Sequence, residues 1–268
     1  MPVQTHGLWG LVYGTPEIDP DTLAGAVESQ AAATALDYRT RLLIRDSVQA
    51  LRHYWGEQRT RDWLAGSPSG ERIEAICAES FERPGFPTIR ERLMDKTDPE
   101  KVQQLLRELG SRIHLRHRLR LAIGGSIALI LPGYLERSTT DIDVVNELPA
   151  EIRSQHALLE DLRKRYGLEL AHFQSHYLPS GWDNRLHYLD AYGDLQVYLV
   201  DVYDVFLSKL FSVRTKDLDD LRMLLPQLDK EILTRRLKET TASMLAAEGL
   251  RKRAEQNWYI LYGESLPQ

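Results

Sequence analysis

The sequence predicts an α+β fold: a mixed sheet flanked by helices, with a helical N-terminal lobe and further helices closing the chain. Three observations carry this. Residues 20 to 110 show apolar residues at helical spacing and almost no strand pattern. Two short apolar or alternating stretches, "RLRLAI" (118–123) and "DIDVVNE" (141–147), then flank a small-residue turn and a short helical segment. Last, "RLHYLDAYGDLQVYLVD" reads as a hairpin around Gly193.

The helical part begins with "DPDTLAGAVESQAAATALDYRTRLLIRDSVQALRHYW", a long Ala- and Leu-rich stretch free of Gly and Pro after Gly25. Leu42, Leu43, Val48, Leu51 and Tyr54 recur there at intervals that build one apolar face. Ser69 is expected to cap "GERIEAIC", and "GFPTIRERLMD" is expected as a short helix. "DPEKVQQLLRELG" has Asp98 as cap and Gly110 as stop. Beyond the first two strands, "LPAEIRSQHALLEDLRKRYG" reads as a helix ending at Gly167, and "LELAHFQSHYL" as strand. The expected domains are 1–107 (helical lobe), 108–228 (catalytic) and 229–268 (C-terminal helices).

Chemistry concentrates in "GGSIALILPGYLERSTTDIDVV", residues 124–145. A strand runs into Gly124, Gly125 and Ser126, and a short helix follows until Pro132 and Gly133. The N–H groups of such a turn converge, glycines admit close approach of a ligand, and anions are favoured at the helix start. Asp141 and Asp143 are two apart on a strand, so they share a face while Ile142 points away. Two carboxylates held that close repel unless a cation lies between them. Mg²⁺ takes hard oxygen ligands from one or two carboxylates plus substrate phosphates. The turn would cradle phosphates and the aspartates would hold the metal that bridges them.

These residues resemble the signature of the DNA polymerase beta-like nucleotidyltransferase superfamily: a Gly-Ser turn, a short helix, then an Asp-x-Asp strand. The closer likeness is to a small bacterial branch with Gly-Gly followed by Arg-x-Thr-x-Asp-x-Asp, here Gly124, Gly125, Arg137, Thr139, Asp141 and Asp143. That branch is related to nucleotidyltransferase toxins of abortive-infection toxin–antitoxin systems. A second motif, "VYLVDVYDVFLSKLFSVRTKDLDDLRML" (197–224), is similar to the branch's strand, Lys-bearing helix and Arg-x-Lys-Asp-x-x-Asp. Lys209, Arg214, Lys216, Asp217 and Asp220 fill those places, and the likeness spans about residues 110 to 230.

The resemblance implies a nucleotidyltransferase-type sheet and transfer of a nucleoside monophosphate from an NTP to an acceptor, with Mg²⁺ held by Asp141 and Asp143. Gly124, Gly125, Ser126, Arg137, Thr139 and Asp217 are then expected at the nucleotide. Lys209 is expected to approach the triphosphate as a point charge. On the residues alone, Asp217 also suits the first turn of a helix capped by Thr215. One departure stands out. The superfamily's third carboxylate usually lies mid-strand, and "GDLQVYLVD" has none there. Asp194 and Asp201 lie at its two ends, with Asp201 a general-base candidate, and Asp217 or Asp220 are the alternatives. A degenerate module that binds nucleotide or a partner protein without turnover is therefore the rival reading.

Composition frames both. Of 268 residues, 43% are hydrophobic and 27% charged, as in ordinary globular proteins. A net charge of −5 argues against nonspecific coating of nucleic acid. Local basic stretches remain at 111–120 ("SRIHLRHRLR") and 250–256 ("LRKRAEQ"), each expected as a solvated face. A single cysteine, Cys77, excludes an internal disulfide. With no run of eighteen apolar residues, and no basic-then-apolar leader in "MPVQTHGLWG", the expectation is a cytoplasmic protein without membrane contact. His172 and His176 are four apart, but their strand-then-loop context denies them a shared helical face. Tyr188, Tyr192 and Tyr198 are expected as core or rim packing. The sequence leaves the acceptor open among a tRNA end, a protein and a small molecule. The N-terminal helices are the expected surface for a cognate partner protein.

Overall fold

A computed structural model gives the architecture. It describes residues 7–15, 17–82, 85–113, 115 and 117–267, with backbone only at Pro87, Glu91 and Thr215. His114 and Arg116 of the basic stretch, and the first six residues of the N-terminal decapeptide, lie outside the described residues. The chain divides into two units, residues 1–96 and 97–268.

The first unit contains α1 (Leu8–Gly14), α2 (Pro20–Ala31), α3 (Tyr38–Trp55), α4 (Glu57–Gly66), α5 (Gly70–Cys77) and a 3₁₀ segment, Pro87–Arg92. The long Ala- and Leu-rich stretch is two helices, not one. Asp37 stops continuity: its carboxylate accepts from Thr40 N at 2.7 Å and starts α3 afresh, as Asp19 does for α2 through Thr22 N. Ser69 occupies the cap position of α5 without a side-chain cap bond. Leu23, Val27, Leu43, Val48, Leu51 and Ile73 are among the side chains of a separate apolar core. Cys77 lies beside it, and burial raises its thiol pKa to about 11, which favours the protonated thiol at neutral pH.

The second unit opens with α6 (Pro99–Arg112), β1 (Leu119–Ile123), α7 (Ile127–Ile130), β2 (Asp141–Val145), α8 (Ala150–Arg153), α9 (His156–Tyr166) and β3 (Glu169–Phe173). It continues with the hairpin β4 (His187–Tyr192) and β5 (Leu195–Leu199), then α10 (Val202–Leu210), α11 (Thr215–Leu224), α12 (Lys230–Thr240), α13 (Ala242–Ala246) and α14 (Glu248–Tyr262). The boundary expected at 107/108 would cut α6. Val102, Leu105, Leu106 and Leu109 of α6 share one core with the sheet, so the helix belongs to the second unit. Leu233, Leu237, Ala254 and Trp258 join that core too, so residues 229–268 are part of it. α6 also runs two residues past Gly110. That glycine does not stop the helix: it admits Tyr192 of β4, whose backbone oxygen a Cβ at this position would overlap.

The sheet order is β3-β2-β1-β5-β4. β1 is antiparallel to β2 and parallel to β5, β2 is parallel to β3, and β4 is antiparallel to β5. Alternation sets the faces. Leu119, Leu121, Ile123, Ile142, Val144, Leu195, Val197 and Leu199 are buried, and the residues between them are less so. Tyr192 is buried as expected, whereas Tyr188 is exposed and packs edge-on to Tyr198, over which Arg120 stacks at 4.4 Å. Parts of both basic stretches pair with neighbouring acids. Arg112 pairs with Glu108 and Asp161, and Lys252 and Arg251 pair with Glu248 and Glu255. No helix among the described residues is long and apolar enough to cross a membrane.

Candidate active site

The centre of the site is the junction of β1 and β2. Gly124 N–H donates to Asp143 O at 2.8 Å, which fastens the Gly-Gly-Ser turn to the Asp-x-Asp strand. Gly125 has φ +58°, and a Cβ there would overlap the Asp143 carboxylate. Glycine is thus required twice, by backbone conformation and by space. The N–H groups of Gly125 and Ser126 find no acceptor among the described residues. α7 is one turn long, so these amides, rather than a helix dipole, are what the turn offers an anion. Gly125→Ala is expected to cost about 1–3 kcal/mol of stability and to displace the Asp143 carboxylate. Thermal unfolding checks the first, and loss of Mg²⁺-dependent NTP binding the second.

Asp141 and Asp143 share a face, with Ile142 fully buried on the other, and both line one cavity of about 520 Å³. Burial first, and then the neighbouring Asp141 charge, raise the Asp143 pKa. Thr140 Oγ1 donates to Asp141 Oδ1 at 3.1 Å. Thr139 lines the cavity, but its hydroxyl is engaged with the Asp141 backbone and its own backbone is pinned by Thr97 Oγ1. It braces the start of β2.

The opposite wall comes from α10 and the start of α11. Lys209 Nζ lies 2.5 Å from Asp217 Oδ1 and 2.8 Å from Asp220 Oδ2, and its side chain is 9% exposed. Burial works against ionisation of Asp217, and the Lys209 charge with hydrogen bonds from Lys209 and Ser212 outweighs it, so its pKa falls below the ordinary value. Arg137 donates to both oxygens of Asp220, at 2.9 and 3.2 Å, and to Ser138 O. The ion network Arg137–Asp220–Lys209–Asp217 ties the approach to β2 to α10 and α11. Arg137, expected at the nucleotide, is drawn instead to Asp220 and does not line the cavity. Gly124 is likewise not in the wall, although its neighbours Gly125 and Ser126 are. Lys209 lines the cavity with its charge already matched by two carboxylates.

Asp201, the general-base candidate, lies elsewhere. Its carboxylate caps α10 through Tyr203 N, accepts from Arg236 and pairs with His187 Nε2 at 2.8 Å. It is absent from the cavity wall, as is Asp194. Asp217 is the third acid in that wall, and Lys209 engages it. No group of three or more metal-ligating side chains occurs among the described residues.

Sequence reasoning placed Arg214 and Lys216 in the second motif without assigning them to the nucleotide. Both line the cavity, and the Arg214 side chain is 59% exposed there. Their signal was the basic spacing just before Asp217. Residues 173–178 were missed as a wall: Phe173, Gln174, Tyr177 and Leu178 face the same cavity. Thr215 proves to be the first residue of α11, with Arg214 at the cap position.

A mixed sheet whose β1 runs into a Gly-Gly-Ser turn beside paired carboxylates is the arrangement of a nucleotidyltransferase domain. The chain belongs to the family described as nucleotidyltransferase of unknown function (DUF6036), whose model matches residues 99–264, more than half of the chain. The match nearly coincides with the second unit and leaves the helical first unit outside it. No curated protein and no solved structure matches the chain significantly.

Proposed function

We propose that the protein transfers a nucleoside monophosphate from an NTP to an acceptor hydroxyl or phosphate, with Mg²⁺ held by Asp141 and Asp143. The observation that carries this is the shared cavity of the carboxylate pair and the unpaired turn amides of Gly125 and Ser126. The donor set fits the ion: two adjacent carboxylates, one desolvated, are stabilised by a cation between them, and hard oxygens are the ligands Mg²⁺ takes. Two protein ligands leave further positions for substrate phosphates, so metal and nucleotide are expected to bind together. When bound, the ion would neutralise phosphate charge and polarise the phosphoryl oxygens. The turn amides would orient the phosphates from one side, and Arg214 and Lys216 would offset their charge from the other. Asp217 keeps Lys209 in place. Catalysis then rests on positioning and charge neutralisation.

The acceptor stays at its broad class: RNA, protein or small molecule. A cytoplasmic toxin–antitoxin or phage-defence setting, with a cognate partner on the N-terminal helices, is supported by the resemblance of residues 110–230 and by nothing finer. The lack of an unengaged third carboxylate in the wall favours the rival, a nucleotide-binding module without turnover. Incubation with each α-³²P-labelled NTP, Mg²⁺, total RNA and total protein separates the two. Label is expected in RNA, in protein or, with a small-molecule extract added, in a low-molecular-weight product, and EDTA should abolish it. Nucleotide binding by calorimetry without transfer from any of the four NTPs would establish the rival.

A further inference from the structure

We infer that the apolar side chains of the cavity lining, Tyr177, Phe173, Leu178, Val205 and Leu250, form a nucleobase subsite, with the Gln174 amide as its polar reader. The inference rests on the proposed nucleotide reading and says which residues select the nucleotide.

The cavity is divided by chemistry. Gly125, Ser126, Asp141, Asp143, Arg214 and Lys216 bring donors, acceptors and charge to its lining, and the five side chains named above bring apolar or aromatic surface. A nucleoside triphosphate has that same division: a polyanion that takes hydrogen bonds and cations, and a planar ring that takes apolar surface and stacking. The volume of about 520 Å³ is in the range of small-molecule sites.

Strand register fixes where Phe173 stands relative to the carboxylates. Asp143 pairs with Ala171 and Val145 with Phe173, so Phe173 is one strand over from Asp143 and one same-face repeat along. Strand dimensions put their Cα atoms about 8 Å apart. Tyr177 follows in the short 3₁₀ turn Ser175–Tyr177. The His176 ring packs 4.0 Å from it, tilted by 42°, and supports it from one side. Tyr177 remains 42% exposed, and its hydroxyl makes no hydrogen bond among the described residues. A base stacked there would cover it. Gln174 is exposed, and its amide makes no hydrogen bond among the described residues, so one donor group and one acceptor are offered to a base edge. His172 also lines the cavity, with its Nδ1 engaged by Asn146 O at 2.7 Å.

Calorimetry of the full chain with Mg²⁺ tests this, using the four NTPs and inorganic tripolyphosphate as probes. Tyr177→Ala is expected to weaken the preferred NTP by roughly tenfold, the size of a lost base–aromatic stack. Tripolyphosphate binding should be unchanged in that variant, and Tyr177→Phe should bind like wild type. Gln174→Ala should narrow the preference among the four bases. Wild-type affinity for every NTP in Tyr177→Ala overturns the subsite while leaving the nucleotide reading in place. Equal losses for NTP and tripolyphosphate also overturn it, because Tyr177 would then act only by shaping the cavity. Failure of wild type to bind any NTP overturns the nucleotide reading and the subsite with it.

Discussion

Replacing Lys209 by alanine is expected to lower folding stability by about 3–5 kcal/mol, the usual cost of leaving buried carboxylates without their partner. The Asp217 and Asp220 side chains are 7% and 3% exposed, and Lys209 touches both. Arg137 still reaches Asp220 in the variant, but among the described residues Asp217 keeps the Ser212 hydroxyl and an Arg214 nitrogen 4.0 Å away. Urea titration reads the change. A second variant isolates the pair: Lys209→Met combined with Asp217→Asn should cost less than the sum of the two single changes, by about 1–3 kcal/mol. Strict additivity, or a loss under about 1 kcal/mol for Lys209→Ala, would show a lysine that merely points at solvent or substrate. The sign of the pH effect follows from the lowered pKa of Asp217. Its ionised form contributes stability above the ordinary aspartate value of about 3.8, and that contribution is lost as pH falls through the folded value. The Lys209 variants should therefore lose less stability than wild type on acidification through that window.

Asp143→Asn should act in the opposite direction on stability and abolish function. The Asp143 pKa is raised by burial and by Asp141, so its ionised form costs folding free energy in the metal-free protein. That cost is absent below the ordinary aspartate value of about 3.8, builds as pH rises above it and is complete above the raised folded value. Removing the charge should raise the melting temperature at neutral pH, by ~2–4 °C for each kcal/mol relieved. Nucleotidyl transfer should drop by about 10²–10³ or more, as when a preorganised electrostatic element is removed. Scanning calorimetry with and without Mg²⁺ and NTP separates the effects. Wild type should gain thermal stability with the ligands and the variant should not. A variant less stable than wild type in EDTA would contradict the desolvation argument.

The polar half of the site was legible because its logic is local. Period-2 alternation fixed Asp141 and Asp143 on one face, and a strand followed by two glycines fixed the turn. The hairpin around Gly193 was legible for the same reason. What escaped needed distant partners. Arg137 was expected at the nucleotide, and nothing near it in the chain announces Asp220, 83 residues away. Asp201 looked like a free acid at a strand end, but Arg236 and His187 lie 35 and 14 residues off. The break between α2 and α3 was visible only through the competition of an Asp37 cap with helix propensity that an alanine-rich run otherwise favours. The aromatic wall at 173–178 was hidden because a strand followed by a 3₁₀ turn has no period to read.

The last helix has a consequence for the order in which the site is made. Asn257 of α14 is buried, and its side-chain amide donates to Leu210 O at 2.9 Å and Ser212 O at 3.1 Å. These two carbonyls bracket the chain just after Lys209 and before Arg214, and Leu250 of the same helix is itself part of the cavity wall. Synthesis runs from the N-terminus, so β1, β2 and the paired aspartates leave the ribosome more than a hundred residues before α14 does. Until that helix docks, the nascent chain has its carboxylates and its turn but an unfinished wall. Completion of the wall is thus tied to residues 248–262, and a chain interrupted before them carries the signature motif without Leu250 or the Asn257 bonds to the segment after Lys209.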